Sequence, residues 1–438
     1  MRPERLLAFL LAAYALVSAW DFSARPACID YYQFWVVGRA VAAKETSDVY
    51  AAPERQRLGE LYAQRAYAAA PATPTKRLQA ASQRRELETY STPWFYTLFG
   101  VFSGADYDAS QTVFQRASLL AYAAAIALLA RLLGFSLTAG LLAVAALLQW
   151  FNPFVDDVIA GNVNRLQLLV VALFLALECG PRFRGRHVVA GVVLGMLLAF
   201  KPNLAAIAAV VVLGWGLAGE WRRAGASLAG QVAGVLAGVV ASIAFFGSAA
   251  PWSAWLRELP RLMAAGSPIA GDAREGNYSL VRLLRDSAGV SFGSVIPALL
   301  VLATIAALVV GRRRSAAPDP SRTVLLVGLG AALSLLSTEL AWQHYFVAIV
   351  PLALFLVRPA GPLLPALLAC TGLAMVALQN VGRLFDLHEP AAGAALVAGG
   401  TLLLFATGLR ELARGASASF PADAGAAPRA APLPPGGR

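Results

Sequence analysis

Charge is the first scarcity. Only 14% of the 438 residues are Asp, Glu, Lys or Arg, against roughly 25% in ordinary soluble domains. A soluble globular fold needs more charge on its surface, and a disordered chain needs more still, so both are excluded. Cysteine is nearly missing: Cys28, Cys179 and Cys370 are too few and too dispersed for a disulfide framework. Histidine is as rare. His187, His344 and His388 lie far apart without ligand spacing, so neither a zinc site nor a metal cluster is expected. No glycine-rich phosphate loop is visible, so no nucleotide site is expected.

Apolar residues take the vacated share. They make up 58% of the chain, and the mean hydropathy is +0.62. These values describe an all-α polytopic membrane protein. The net charge of +11 sits in short clusters between apolar runs rather than on a basic domain. Nucleic acid is therefore not an expected partner, whereas membrane lipids are.

Twelve apolar runs predict about twelve transmembrane helices. The first ends at Trp20, and the others lie near 110–132, 137–151, 163–179, 187–200, 203–219, 226–247, 291–310, 322–340, 345–358, 362–379 and 391–410. The first reads as a retained helix rather than a cleaved signal, because no polar break precedes Trp20. The segment 93–102 is apolar but too short to span, and reads as half-inserted or interfacial. With both termini cytoplasmic, 17 of the 36 basic residues fall inside, and the short outer loops between later helices are nearly bare. Counting 93–102 as a span would turn every later arginine cluster outward, against the positive-inside rule.

The expected domain plan is one integral membrane domain over 1–414 and a disordered cytoplasmic tail over 415–438, rich in Ala, Pro and Gly. The first extracytoplasmic loop covers about 22–109. Its Ala, Arg, Gln and Glu between residues 51 and 87 predict short amphipathic helices on the membrane surface.

The notable polar groups all fall on the extracytoplasmic side of this topology. Ionisable side chains at membrane depth are costly, so each needs a partner or a task. Asp30 opens Asp30-Tyr31-Tyr32-Gln33-Phe34-Trp35 and reads either as a general base beside aromatic walls or as a helix N-cap. Asp156-Asp157 with Gly161-Asn162-Val163-Asn164-Arg165 reads as a pair orienting hydroxyls or a cation, or as a polar loop with a capping Asn. Lys201-Pro202-Asn203 breaks an apolar run and predicts a tight turn. Its lysine either meets a phosphate or snorkels from a helix end. His344, in Glu339-Leu340-Ala341-Trp342-Gln343-His344-Tyr345, is a phosphate or hydroxyl contact or a passenger of an interfacial aromatic belt. Asn277-Tyr278-Ser279-Leu280 precedes Arg282 and Arg285, which offers headgroup contacts or a turn into an interfacial helix.

In this order the segments resemble the GT-C superfamily of membrane glycosyltransferases, and family 87 within it. The matching pieces are Asp30-Tyr31-Tyr32, Tyr90 to Tyr96, Gly161-Asn162-Val163-Asn164, Lys201-Pro202-Asn203, Asn277-Tyr278-Ser279-Leu280 and Trp342-Gln343-His344-Tyr345. Asn162 stands where the family pattern more often has Gln.

The resemblance implies a GT-C-like fold and transfer of a hexose, mannose by the family, from a polyprenyl-phosphate sugar to an envelope lipid or glycan. It implies inversion, with Asp30 as base. Lys201 and His344 would neutralise the leaving phosphate, with Arg282 or Arg285 in reserve. Asn162, Asn164, Asn203, Asn277, Trp342 and Tyr31 would line the substrate. No cofactor is implied, divalent-cation dependence stays open, and the expected location is the plasma (inner) membrane with an extracytoplasmic site. Two other readings compete: a transporter or flippase of an amphiphilic substrate, and an assembly subunit without catalysis. The long first loop, the one-sided polar residues and the missing internal repeat argue against transport.

Overall fold

In the computed structural model the described residues are 2–69, 75–180, 183–262, 276–288, 294–312, 320–377 and 390–415. From 416 on, the expected disordered tail lies outside them, as do Arg182, Arg313, Arg314 and His388. Among the described residues every regular element is helical, apart from one antiparallel bridge between Asn277 and Trp342.

The helices are α1 (Pro3–Ser23), α2 (Ile29–Ala42), α3 (Ala52–Ala68), α4 (Lys76–Gln83), α5 (Pro93–Phe102), α6 (Tyr107–Leu132), α7 (Leu137–Gln149), α8 (Asn152–Ala160), α9 (Asn164–Cys179) and α10 (Arg186–Phe200). They continue as α11 (Ala205–Leu217), α12 (Trp221–Phe246), α13 (Ala250–Leu262), α14 (Leu280–Ala288), α15 (Val295–Arg312), α16 (Pro320–Ser337), α17 (Val350–Leu356), α18 (Leu363–Ala377) and α19 (Pro390–Arg414). Within the described residues each of the twelve apolar runs is largely helical. Among the described residues, five helices are by length and composition long and apolar enough to cross a membrane alone, and six if bent α7–α8 counts as one. The remaining runs form shorter apolar helices, broken by turns.

Small residues decide the closest packing. On α1, Ala8, Ala12, Ala15 and Ala19 make one buried stripe, spaced three to four residues apart, and α7 packs against this helix. Leu6, Leu10, Tyr14 and Val17 stay exposed on the other side, as a lipid-facing surface would be. α10 and α12 run parallel and nearly touch. A Cβ on Gly195 would stand 2.1 Å from the Gln231 carbonyl, and one on Gly230 2.2 Å from that of Val188. Glycine at these positions lets two backbones approach as in small-xxx-small membrane pairs.

The first loop builds a second apolar core. Tyr31, Tyr32, Trp35, Leu58, Tyr62, Phe95 and Phe99 are buried in it, drawn from α2, α3 and α5. Short helices are present in this loop as α3 and α4, each with a buried face. Phe200, at the end of α10, packs on both this cluster and the main helical core. The candidate site occupies that seam.

Candidate active site at the seam of the two cores

Backbone breaks bring the polar residues together. Pro202 has no N–H to continue α10, so the helix ends at Phe200 and a short 3₁₀ turn follows. Thr92 caps this end by donating to the carbonyls of Ala199 (2.7 Å) and Phe200 (3.3 Å). Asp156 and Asp157 sit on helix α8, between two of the apolar runs, and not in a polar loop. Pro153 opens that helix, and Gly161, at φ +72°, ends it. A Cβ on Gly161 would meet that of Cys28 at 2.5 Å, so this turn requires glycine. The next residue is Asn162.

Asn162 is the hub. Its side-chain amide donates to Asp30 Oδ2 at 2.8 Å and lies 3.2 Å from His344 Nε2. Its carbonyl oxygen lies 3.5 Å from Lys201 Nζ, which also donates to Asn164 Oδ1 at 3.1 Å. His344 Nδ1 stands 3.1 Å from Asp156 Oδ2. One tautomer satisfies both ring contacts: Nδ1–H donates to Asp156, and Nε2 accepts from Asn162. Lys201 Nζ also sits 4.5 Å from the centroid of the Tyr345 ring, a cation–π distance.

Asp30 does not cap its helix. Cys28 holds the N-cap of α2 in a left-handed conformation, and Asp30 lies in the first turn, where the helix dipole favours negative charge. Its Oδ1 lies 3.5 Å from both Arg84 Nη2 and Gln33 Nε2. Arg84 binds Glu88 at 2.8 Å. Burial pushes the Glu88 carboxyl above its ordinary range, opposed by Arg84 and reinforced by the nearby Asp30 charge. Sequence reading missed Arg84, Gln33 and Glu88. The Asp156-Asp157 pair also divides: Asp157 turns to fully buried Arg165, 2.6 Å away, and to Asn164 at 2.8 Å, while Asp156 serves His344. Among the described residues no group of three or more His, Cys, Asp or Glu could hold a metal ion.

Four of the sequence candidates stand elsewhere. Asn203 follows Pro202 on the exposed side of the turn and takes no part in the group. Asn277 acts as a joint: it donates to the Glu339 carbonyl at 2.9 Å and accepts from Ala341 N–H at 3.0 Å, which aligns its strand-like bridge with Trp342. Arg282 pairs with Asp286 one turn on, at 2.9 Å, and its companion Arg285 with Glu339 at 3.0 Å.

The group is largely closed off from solvent: Asp30 and His344 are only 7% and 6% exposed. Desolvation pushes the Lys201 ammonium down to about 8, against the opposing pull of Asp157 and Asp30. A large apolar groove of about 960 Å³ opens alongside, between α5, α6, α9 and α10. Its wall includes Tyr31, Val163 and Phe200, the chain neighbours of Asp30, Asn162 and Lys201. Tyr31 stacks on Phe114 at 4.6 Å and bonds Ser110 at 2.6 Å. It therefore lines this groove and leaves the polar group to its neighbour.

No curated protein and no solved structure matches the chain. A family model does, over residues 89–338, described as glycosyltransferase family 87. Asn162, Asn164 and Lys201 fall inside that match; Asp30 and His344 lie outside it and reach it through the Asn162 amide. With more than half of its 438 residues matched, the chain belongs to glycosyltransferase family 87 and is a membrane glycosyltransferase.

Proposed function

We propose that this glycosyltransferase moves a hexose, mannose on the family resemblance, from a polyprenyl-phosphate carrier to a hydroxyl of an envelope lipid or glycan. The reaction belongs to the extracytoplasmic face of the plasma membrane and inverts the anomeric carbon. Asp30 takes the proton of the acceptor hydroxyl, and the acceptor oxygen attacks the anomeric carbon. The bond from that carbon to the phosphate oxygen breaks, and polyprenyl phosphate leaves with the electron pair. A phosphate leaves readily, so the leaving side needs charge compensation more than a proton. Lys201 is the cation best placed to supply it. His344, held between Asp156 and Asn162, fixes the amide that orients Asp30.

One observation carries this reading: a single side chain, Asn162, contacts Asp30 and His344 and borders Lys201. The adjacent apolar groove supports a lipid-linked donor, because an isoprenoid tail can lie there while its phosphate stays near Lys201. The deciding assay presents purified protein with radiolabelled polyprenyl-phosphate hexoses and, separately, with nucleotide sugars, across candidate lipid and glycan acceptors. Transfer from the lipid carrier, with an inverted product linkage, is the expected result. Transfer from the nucleotide sugar alone would overturn the donor assignment. Net movement of the lipid across vesicles without a new glycosidic bond would favour transport.

A further inference from the structure

A second polar cleft lies at the far end of the same helices. α9 starts within the Asn162 group and ends at Cys179, while α10 starts at Arg186 and ends beside Lys201. At about 1.5 Å per residue, each helix places roughly 20 Å or more between the two sites. The cleft has a volume of about 770 Å³, and its walls include Glu178, Arg186, His187, Glu220, Arg222 and Arg223. Because α10 and α12 run parallel, both present their first residues, Arg186 and Trp221, to this cleft. Neither helix has a side-chain cap: Gly185 and Glu220 hold the N-cap positions without capping bonds. Two positive helix ends and three guanidiniums therefore face two carboxylates, which favours an anion.

The cleft's own pairs do not consume all of this capacity. Arg223 is committed to Glu178 (3.2 Å), Glu220 (2.8 Å) and Thr323 (3.1 Å), and stacks 4.1 Å above Trp215. Arg186 gives only Nη1 to the Gly180 carbonyl and Nε to His187, at 3.3 and 3.4 Å. Arg222 is exposed. Glu178 is 1% exposed; its Oε2 accepts from His187 at 2.7 Å and from Arg223, while its buried Oε1 has no partner. A buried acceptor left unpaired is costly and calls for a donor. Trp221, 70% exposed beside the cleft, is the side chain that anchors at a membrane interface.

We propose that this cleft binds a phospholipid headgroup on the membrane face opposite the Asp30 group. The phosphate meets Arg186, Arg222 and the two helix ends, and a hydroxyl or ammonium of the headgroup donates to Glu178 Oε1. The site uses none of the residues assigned to sugar transfer. Its chemistry, a phosphate ester carrying a hydrogen-bond donor, also describes soluble glycerol phosphate, so the test separates the two.

Purified full-length protein is titrated by native mass spectrometry with phosphatidylglycerol, phosphatidylethanolamine, phosphatidylcholine and diacylglycerol, with soluble glycerol phosphate as competitor. Phosphatidylglycerol and phosphatidylethanolamine bind. Phosphatidylcholine, which has no donor for Glu178, binds several-fold more weakly, and diacylglycerol does not bind. Arg186→Gln with Arg222→Gln weakens phosphatidylglycerol binding roughly twentyfold, with the melting temperature and sugar transfer in detergent kept. Arg222→Gln alone, at an exposed position, serves if the double variant fails to fold. Equal binding of diacylglycerol, or undiminished binding by the folded variants, would overturn the site. Binding of glycerol phosphate with no lipid retained would overturn the lipid assignment.

Discussion

The charge on Lys201 predicts a specific pH profile. Burial at the end of α10 disfavours the ammonium and brings it down to about 8; a group lowered in this way loses its charge as pH rises through that value. About nine-tenths of the free enzyme then carries the charge at pH 7, and about one-tenth at pH 9. If that charge meets the donor phosphate, kcat/KM for the donor falls roughly tenfold per pH unit above 8, because kcat/KM reports the free enzyme's groups.

Neither the donor nor the nearby Tyr90 phenol changes charge in this window. The donor is a phosphodiester with one charge throughout. The buried Tyr90 phenol is held well above its ordinary value. Arginine at this position stays charged at every working pH. The assay is initial-rate transfer from a polyprenyl-phosphate sugar between pH 6 and 9.5 for wild type and Lys201→Arg, compared by profile shape. The variant is expected to lose the alkaline fall whatever its absolute rate. A wild type that stays flat to pH 9.5, or an arginine variant with the same fall, refutes the role given to Lys201.

Other outcomes follow from the packing around the group. Arg165→Met leaves Asp157 charged and unpaired in a fully buried site, so stability in detergent falls by about 3–5 kcal/mol; Arg165→Met with Asp157→Leu recovers most of it. Gly195→Leu drives a side chain into the Gln231 carbonyl, parts α10 from α12 and lowers the melting temperature, at a cost of about 1–3 kcal/mol. Val193→Trp fills part of the apolar groove; it raises KM for a long-chain donor several-fold and leaves a short-chain donor nearly unaffected, which kinetics on the two donors checks.

Sequence pattern carried the helices well because apolar runs bounded by arginine clusters leave few alternatives. It carried the length of α5 for the same reason: ten apolar residues opened by Thr92-Pro93 make a short helix and no more. Asp30, Asn162, Lys201 and His344 stood out as polar breaks in apolar surroundings, and the fold brings them to one amide. Arg84 and Glu88 did not stand out, because a loop crowded with Arg, Gln and Glu looks uniformly solvated and only tertiary packing selects the arginine that faces Asp30. Two adjacent aspartates looked like one unit, but successive residues on α8 project in different directions, so Asp156 and Asp157 found different partners. Asn277 looked like a substrate contact, and its bonds to the backbone at Glu339 and Ala341 make it a joint between two segments distant in sequence.

The proton acceptor is the centre of the account, and Asp30→Asn tests it with the least change in shape. The amide keeps an oxygen for Asn162 but cannot take the acceptor's proton. The measurement is kcat/KM of purified Asp30→Asn with a polyprenyl-phosphate hexose, alongside its melting temperature. A loss of about 10²–10⁴-fold at an unchanged melting temperature is the predicted result; a folded variant within threefold of wild type would contradict it.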